Sequence, residues 1–224
     1  MRIVTFNIQH GRGAGGGVDT AALARYCAGL HADVLGLQEV DVGARRSGRV
    51  DQAVVVAEAA AMTRVFGRAC RVGVRGAYGN ALLVRGAVAD VEEIRLPRVA
   101  GNEPRSAIVA RAELTGGEAS VAVTHLSVHP VESRPQLDAV LRTLCRRPLP
   151  RVLLGDLNLA VEHIAEPIAA AGMSLADPTA PTFPAAAPRA RIDHIAVAGV
   201  EVLTVEVPGP APVSDHRPLV VELG

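Results

Sequence analysis

The order of apolar and polar positions along the chain predicts many strands and few helices. Short runs of β-branched residues and leucine, interrupted by Gly, Pro and polar clusters, are typical of strands in a packed sheet. We predict strands at residues 2–8, 34–38, 64–74, 79–84, 88–96, 107–114, 120–124, 151–154, 191–197, 201–207 and 217–222.

Four further segments carry apolar residues at helical spacing. In residues 20–30 these residues recur on one face, and Asp19 is placed to cap the first turn. The other predicted helices cover residues 51–62, 133–145 and 161–171. Ser133 is the expected cap of the third helix, with Pro135 in its first turn. Consecutive hairpins combined with crossovers favour an α+β sandwich over a parallel doubly wound sheet.

Composition excludes several classes of protein. The 224 residues are 49% hydrophobic, and 23 acidic residues balance 23 basic residues. The chain is too apolar for a disordered protein and too balanced in charge for a basic nucleic-acid coat. Because a chain of this length can bury roughly 70% of its unfolded surface, we expect one domain over residues 1–224.

The cysteines and the longest apolar runs indicate where the protein works. Its three cysteines are widely spaced with no C-x-x-C pair, so we expect neither a disulfide framework nor a zinc knuckle. No apolar run approaches the roughly 18 residues of a membrane helix, and Met1 leads directly into a strand instead of a signal peptide. We expect a soluble, cytoplasmic monomer with no obligate protein partner.

A glycine-rich segment at residues 11–17 offers an alternative interpretation. Gly11 to Gly16 satisfy G-x-G-x-x-G after a strand and before a helix, which is the outline of a dinucleotide-binding fingerprint. The expected cap, Asp19, lies beyond the glycines, so the third glycine does not open the helix as that mechanism requires. We therefore predict that residues 11–17 form a surface loop, and a dinucleotide-binding protein is the remote alternative. A second loop is predicted at the proline-rich residues 178–188.

Polar side chains recur where apolar strands end. The ends of strands in a rigid sheet hold such polar side chains in fixed positions, as a functional site requires. The residues concerned are Asn7, Gln9, Gln38, Glu39, His125, Asp156, Asn158, Asp193, His194, Asp215 and His216.

The chemistry of these residues is coherent. Glu39, Asp156 and Asp215 are hard oxygen donors of the kind that Mg²⁺ prefers. No cysteine lies near them in the sequence, so a soft metal is not indicated. The imidazoles of His125 and His216 can stabilise an anionic phosphoryl centre. This set suits in-line attack of water on phosphorus.

The motifs resemble those of the endonuclease/exonuclease/phosphatase superfamily, which includes DNase I, sphingomyelinases, inositol polyphosphate 5-phosphatases, deadenylases and AP endonucleases. They occur in the family's order, and the pair GDxN and SDH is specific. The matching blocks are Thr5-Phe6-Asn7, Leu37-Gln38-Glu39, Tyr78-Gly79-Asn80, Thr124-His125-Leu126, Gly155-Asp156-Leu157-Asn158, Arg191-Ile192-Asp193-His194 and Ser214-Asp215-His216. The resemblance implies a DNase I-like, four-layer αββα sandwich of two packed mixed β-sheets.

The resemblance also implies a metal site. Glu39 is implied as a ligand of Mg²⁺, which Mn²⁺ can replace, with Asn7 as its hydrogen-bonded neighbour and Asp215 completing the metal environment. Tyr78, Asn80 and Arg105 match less diagnostic family positions and are the candidate substrate-binding residues. For Arg105, a surface ion pair with Glu103 competes with a phosphate contact.

Catalytic roles are implied for the remaining matches. Asp156 would orient or deprotonate the attacking water, and Asn158 would contact the phosphate. His216 would stabilise the transition state with Asp193 as its orienting partner, and His125 would hold the scissile phosphate.

Departures from the family pattern argue against the AP-endonuclease branch. Gln9 stands where that branch has an acid, and residues 124–130 lack its N-x-Y-x-P-N segment. The differences favour the DNase I, sphingomyelinase and phosphatase side.

The leading hypothesis is therefore a Mg²⁺-dependent phosphodiester hydrolase acting on nucleic acid or a small phosphodiester. Residues 41–80 contain seven arginines and three acids, a net charge of +4, which either follows a phosphate backbone or forms a solvated face. Aromatic residues are only 2% of the chain, which argues against stacking on single-stranded bases. Lipid-headgroup or sugar-phosphate esters are the enzymatic alternative, and a catalytically silent binding module is the non-enzymatic one.

Overall fold

The computed structural model describes residues 1–13, 15–114, 116–176 and 180–224. In those ranges the chain forms twelve strands and four α-helices. The strands are β1 (Arg2–Asn7), β2 (Val34–Val42), β3 (Thr63–Val72), β4 (Gly76–Val84), β5 (Ala87–Arg95), β6 (Ser106–Leu114), β7 (Gly117–His125), β8 (Arg151–Asp156), β9 (Ser174–Ala176), β10 (Asp193–Ala198), β11 (Val202–Glu206) and β12 (Leu219–Leu223). The helices are α1 (Thr20–Gly29), α2 (Gln52–Ala60), α3 (Pro130–Leu144) and α4 (Val161–Ala170).

The strands form two six-stranded mixed sheets, in the orders β11-β12-β1-β2-β4-β3 and β5-β6-β7-β8-β10-β9. Each sheet has one parallel pair at its centre, β1 with β2 and β7 with β8, and its other pairs are antiparallel. One apolar layer lies between the sheets, a second joins the first sheet to α1 and α2, and a third joins the other sheet to α3 and α4. The predicted αββα sandwich is confirmed.

The central strands are apolar on both faces because both faces are covered. In β1, Ile3 packs between the sheets while Val4 and Phe6 pack toward the helices. Close approach of the sheets requires glycine at Gly36, where an added Cβ would lie 2.5 Å from Leu154 Cδ1.

Two predicted element boundaries were wrong for identifiable reasons. Helix α3 begins at Pro130, with His129 at its N-cap position, so Ser133 lies inside the helix and does not cap it. Pro130 suits the first helical turn, where its missing N–H has no helical partner. Strand β2 continues past residue 38 to Val42 through a bulge, in which Gln38 and Glu39 together oppose one residue of β4.

The predicted cap of α1 is confirmed, and one short strand was missed. Asp19 does cap α1, since its side chain accepts the backbone N–H of Ala22 at 2.8 Å. A bridge pairs Arg12 with Val18, and α1 begins at Thr20, so the third glycine of the motif, Gly16, does not open the helix. The short strand β9 was not predicted. Three residues of the two predicted loops, Ala14, Pro178 and Thr179, lie outside the described residues.

In the part of the chain that the structure describes, no helix is both long enough and apolar enough to cross a membrane.

Candidate active site

Strand alternation places four of the predicted residues on one surface. Side chains at every second position of a strand share a face. In β1, β7, β8 and β10 the positions that pack between the sheets continue to Asn7, His125, Asp156 and Asp193 at the strand ends. Asp156 pairs directly with His125 on one side and Asp193 on the other. The two sheets therefore meet at one polar cluster.

Asn7 connects the two sheets at this cluster. Its side-chain NH₂ donates to Glu39 Oε1 at 3.2 Å and to Asp156 Oδ2 at 2.9 Å. Its Oδ1 accepts the backbone N–H of Gln9 at 3.0 Å. The amide thus fixes the separation of two carboxylates that would otherwise repel each other.

Glu39 lies at the open side of the cluster, with a side chain that is 24% exposed. Its backbone is left-handed (φ +59°) because of the bulge in β2, a costly conformation that occurs preferentially at functional sites. Burial raises the pKa of the Glu39 carboxyl, and the hydrogen bond from Asn7 partly offsets this effect. Its second oxygen, Oε2, is 3.9 Å from His10 Nδ1.

Asp215 is held next to Glu39 by a residue to which the sequence assigned no role. Gln9 Nε2 donates to Asp215 Oδ2 at 2.7 Å across 206 positions of sequence. Glu39 and Asp215 offer only oxygen ligands, which is the donor set of a hard cation such as Mg²⁺. Asn7 lies beside them as the hydrogen-bonded neighbour of Glu39, with its NH₂ group toward that carboxylate. These residues fit a divalent metal.

His216 and Asp193 form an imidazole–carboxylate pair. His216 Nδ1 is 2.9 Å from Asp193 Oδ2, and the Thr182 hydroxyl donates to the same oxygen at 2.6 Å. The Phe183 ring packs on the imidazole with centroids 4.8 Å apart. Burial alone would lower the pKa of His216, but the carboxylates of Asp193 and Asp156 raise it above its ordinary value. The imidazole is therefore held as a cation.

Asp156, Asp193 and His216 also place one ligand atom each within 4.8 Å of one another. This second set of possible ligands differs from the Glu39 side in its hydrogen bonding and burial. Asp193 and His216 already hydrogen-bond each other, and both are buried, at 0% and 5% exposure.

Asp156 lies at the centre of the cluster. Its Oδ2 is 3.4 Å from His125 Nε2 and 3.8 Å from His216 Nε2, and its Oδ1 accepts the backbone N–H of Asn158 at 3.0 Å. Burial and the neighbouring Asp193 carboxylate raise the pKa of the Asp156 carboxyl. A carboxyl with a raised pKa is a better proton acceptor than a surface carboxylate.

His125 is neutral, and its neighbours select a tautomer. Its Nδ1 is 3.0 Å from Arg105 Nη1, and a guanidinium can only donate, so Nδ1 is the acceptor. The proton is therefore on Nε2, which faces Asp156. Burial and the Arg105 charge lower the pKa of His125 well below its ordinary value. Asn158 Nδ2, 3.1 Å from the same Nε2, directs a hydrogen to Leu126 O at 3.0 Å.

The three less diagnostic residues occupy different places. Arg105 is not at the surface: its side chain is 10% exposed, and it contacts His125 as well as forming the ion pair with Glu103 at 2.9 Å. The Tyr78 hydroxyl is 3.5 Å from Arg105 Nη1, at the edge of the cluster. Asn80 is 2% exposed and donates to Ser106 O at 2.8 Å, so it joins β4 to β6.

His194 is part of the sequence motif but faces away from the cluster. Its Nε2 is 2.8 Å from Leu159 O, and burial lowers its pKa to about 4. It therefore has a structural role next to Asp193. Thr182, by contrast, belongs to the site and was missed, because it lies in a proline-rich loop with no periodic pattern.

Comparisons with known proteins identify the family and the fold. The model of the Endonuclease/Exonuclease/phosphatase family matches residues 4–216. The fold is similar to that of the endonuclease/exonuclease/phosphatase from Beutenbergia cavernae (22% identity, TM-score 0.84, 100% of this chain and 71% of that chain). It is also similar to the mannosyl-6-phosphatase of Bacteroides thetaiotaomicron (17% identity, TM-score 0.80, 100% and 99% of the two chains).

A third solved structure, the human Nocturnin catalytic domain with bound sulfate, is 18% identical with a TM-score of 0.75, over 100% of this chain and 94% of that chain. No curated protein matches the sequence. The solved structures establish the shared fold, and the family model covers almost the whole chain. The protein belongs to the endonuclease/exonuclease/phosphatase family of phosphoesterases.

Proposed function

We propose that the protein is a Mg²⁺-dependent hydrolase of phosphodiesters. The observation that carries the proposal is the position of Asp156, whose Oδ2 lies within 3.8 Å of Asn7 Nδ2, His125 Nε2 and His216 Nε2. A proton acceptor, a cation and a neutral donor thus converge on a volume at the strand ends.

Glu39 and Asp215 would hold the metal, with Asn7 as the hydrogen-bonded neighbour of Glu39. When bound there, Mg²⁺ neutralises charge on the phosphate and polarises the bond to phosphorus. Mn²⁺ uses the same oxygen ligands and is expected to substitute. Asn7 and Gln9 position the two carboxylates by the hydrogen bonds at 3.2 and 2.7 Å. The carboxylates are therefore already in place before the metal binds.

Asp156 orients the attacking water and accepts its proton. The hydrogen bonds from Asn7 and from the backbone N–H of Asn158 hold the carboxylate in one orientation. The oxygen atoms retain lone pairs for a water molecule, since an ionised carboxylate accepts about four hydrogen bonds.

His216 and His125 donate to the phosphate oxygens. His216 Nδ1 is committed to Asp193, which leaves its Nε2–H for the charge that develops at phosphorus. His125 Nε2–H points to the same side, and Arg105 fixes its tautomer. Such preorganised donors stabilise a transition state without reorganising during the reaction. Asn158 stands next to His125 and completes this side of the site.

Hydrolysis of bis(p-nitrophenyl) phosphate with Mg²⁺ tests the proposal. Asp156→Asn and His216→Gln are each expected to lower kcat by at least about 10²-fold, as loss of one preorganised group does. Asp138→Asn, an exposed acid on α3, is the matched control and should retain wild-type rates. Wild-type rates in both site variants would refute the assignment.

A sugar-phosphate or lipid-headgroup ester is the second candidate. The similarity in fold to a mannosyl-6-phosphatase at a TM-score of 0.80 favours measuring monoesters alongside diesters. Release of phosphate from p-nitrophenyl phosphate at a higher kcat/KM than from the diester would favour this second candidate. Nicking of a plasmid would favour a nuclease.

A further inference from the structure

A basic groove lies next to the proposed active site and takes no part in the chemistry described above. Its volume is about 720 Å³, and two segments form its walls: residues 43–49, which follow β2, and the turn that joins β3 to β4. The lining residues are Gly43, Arg45, Arg46, Arg49, Val72, Gly73, Val74, Arg75 and Gly76. This volume is in the range of pockets that hold small organic ligands.

Three of the four arginines in the groove are available to a ligand. Arg46 is committed, since it donates to both oxygens of the buried Asp41 carboxylate at 2.8 Å. Arg45, Arg49 and Arg75 are exposed and form no ion pair with any residue in the described ranges. The groove therefore carries three uncompensated positive charges, and a local field of this kind attracts anions.

The groove is built from ordered backbone. Gly43 N–H donates to Val50 O at 2.9 Å and Arg49 N–H donates to Ala44 O at 2.8 Å, which closes the first wall into a compact loop. A Cβ added to Gly76 would lie 2.9 Å from Ala44 Cα, so the two walls pack directly against each other. The backbone that carries the arginines is therefore a defined scaffold.

A line of contacts connects the groove to the proposed reaction centre. The Arg46 guanidinium lies over the Tyr78 ring, 5.4 Å from its centroid. The Tyr78 hydroxyl is 3.5 Å from Arg105, and Arg105 is 3.0 Å from His125.

The number of residues between the groove and the proposed metal ligand Glu39 limits the distance between them. Gly43 in the groove follows the proposed metal ligand Glu39 by four residues, so their Cα atoms are at most about 14 Å apart. The wall of the groove therefore begins within this distance of the proposed metal ligand.

We propose that this groove binds a phosphate group of the substrate other than the one that is hydrolysed, so that the preferred substrate carries at least two phosphates. The proposal rests on the phosphodiesterase function proposed above. Arginine suits this role because its planar guanidinium donates two parallel hydrogen bonds to phosphate. The second phosphate can belong to a nucleic-acid strand or to a small bisphosphate, and the experiment distinguishes these sources.

The first test compares substrates that have one or two phosphates. The groove variant combines Arg45→Gln, Arg49→Gln and Arg75→Gln. The control variant combines Arg25→Gln, Arg134→Gln and Arg142→Gln, which removes the same charge from exposed positions on α1 and α3. The substrates are bis(p-nitrophenyl) phosphate, a short 5′-phosphorylated single-stranded oligonucleotide, and a small aryl diester that also bears a phosphomonoester.

The measured quantity is the ratio of kcat/KM between a two-phosphate substrate and the one-phosphate diester. In the groove variant this ratio is expected to fall at least tenfold, and in the control variant it should change by less than about twofold. A fall for the oligonucleotide alone assigns the second phosphate to a nucleic-acid strand. A fall for both substrates shows that a small bisphosphate suffices. An unchanged ratio for both substrates overturns the proposal.

A second test does not depend on hydrolysis. Binding of the same oligonucleotide, labelled with a fluorophore, is followed by anisotropy without divalent metal over a range of NaCl concentrations. Losing the phosphate contact of the groove should reduce the slope of log Kd against log[NaCl] by about 0.7, the contribution of one phosphate of a single strand. An unchanged slope in the groove variant overturns the proposal. If the slope falls but no phosphodiester is hydrolysed, the groove assignment stands and the proposed function fails.

Discussion

Protonation of His194 is expected to set part of the acid sensitivity of the fold. The imidazole is 1% exposed, its Nε2–H donates to Leu159 O, and its Nδ1 has no hydrogen-bond partner within the described residues. A proton on Nδ1 would place a charge in the interior, where the cost of burial outweighs the backbone hydrogen bonds to Leu159 and Arg191 that favour the protonated ring. Burial accordingly lowers the pKa of His194 to about 4 in the folded protein, against about 6.5 in the unfolded chain.

The sign follows from the protons that each state binds. Between pH 6.5 and 4 the unfolded chain binds more protons at this residue than the folded protein does, so stability rises with pH. The contribution of His194 is complete above pH 6.5 and is lost as the pH falls toward 4. From pH 7.5 to pH 5 the loss amounts to about 2 kcal/mol in the free energy of unfolding.

Urea unfolding of the wild type and of His194→Gln at several pH values checks this magnitude. Glutamine keeps an N–H donor for the Leu159 carbonyl but does not titrate. Between pH 7.5 and 5 the wild type should lose about 2 kcal/mol more than the variant. Parallel loss in the two proteins would refute the argument, because other titrating groups are common to both.

Three further predictions follow from contacts in the core and the site. Gly36→Ala should lower the free energy of unfolding in urea by about 1–3 kcal/mol, since the new methyl group meets Leu154 between the sheets. Gly29→Ala is the control in the same titration, because an added Cβ there has no neighbour within 4 Å. Thr182→Val removes the hydroxyl that orients Asp193 and should lower kcat about fivefold with little change in KM, the equivalent of about 1 kcal/mol. Glu39→Gln should raise the Mg²⁺ concentration for half-maximal activity at least tenfold, measured in metal titrations after chelator treatment; an unchanged midpoint would place the metal elsewhere.

Much of the fold and of the site was accessible from the sequence because both depend on local patterns. Apolar runs marked the strands, and the side chains that follow them are those that strand alternation brings to one edge of the sandwich. Asn7, His125, Asp156 and Asp193 share a face for that reason. The start of α3 was misplaced because Ser133 and Pro130 both have residue types that suit a first helical turn, and only packing distinguishes them.

Long-range contacts account for what the sequence did not indicate. Gln9 reaches Asp215 across 206 positions, and Thr182 reaches Asp193 from a loop without a periodic pattern. The burial of Arg105 was also unforeseen, since a charge next to Glu103 has the pattern of a surface pair. It is buried because the sheet ends converge around it and give it His125 as a partner.

The central claim is that residues from both sheets act together in one hydrolytic site, and a double-mutant measurement tests it most directly. The kcat for bis(p-nitrophenyl) phosphate with Mg²⁺ is compared among Asp156→Asn, His216→Gln and the double variant. Groups that act as a unit are strongly non-additive, so the double variant should be about as slow as the slower single variant. Losses that multiply, or single variants as fast as the wild type, would contradict the account.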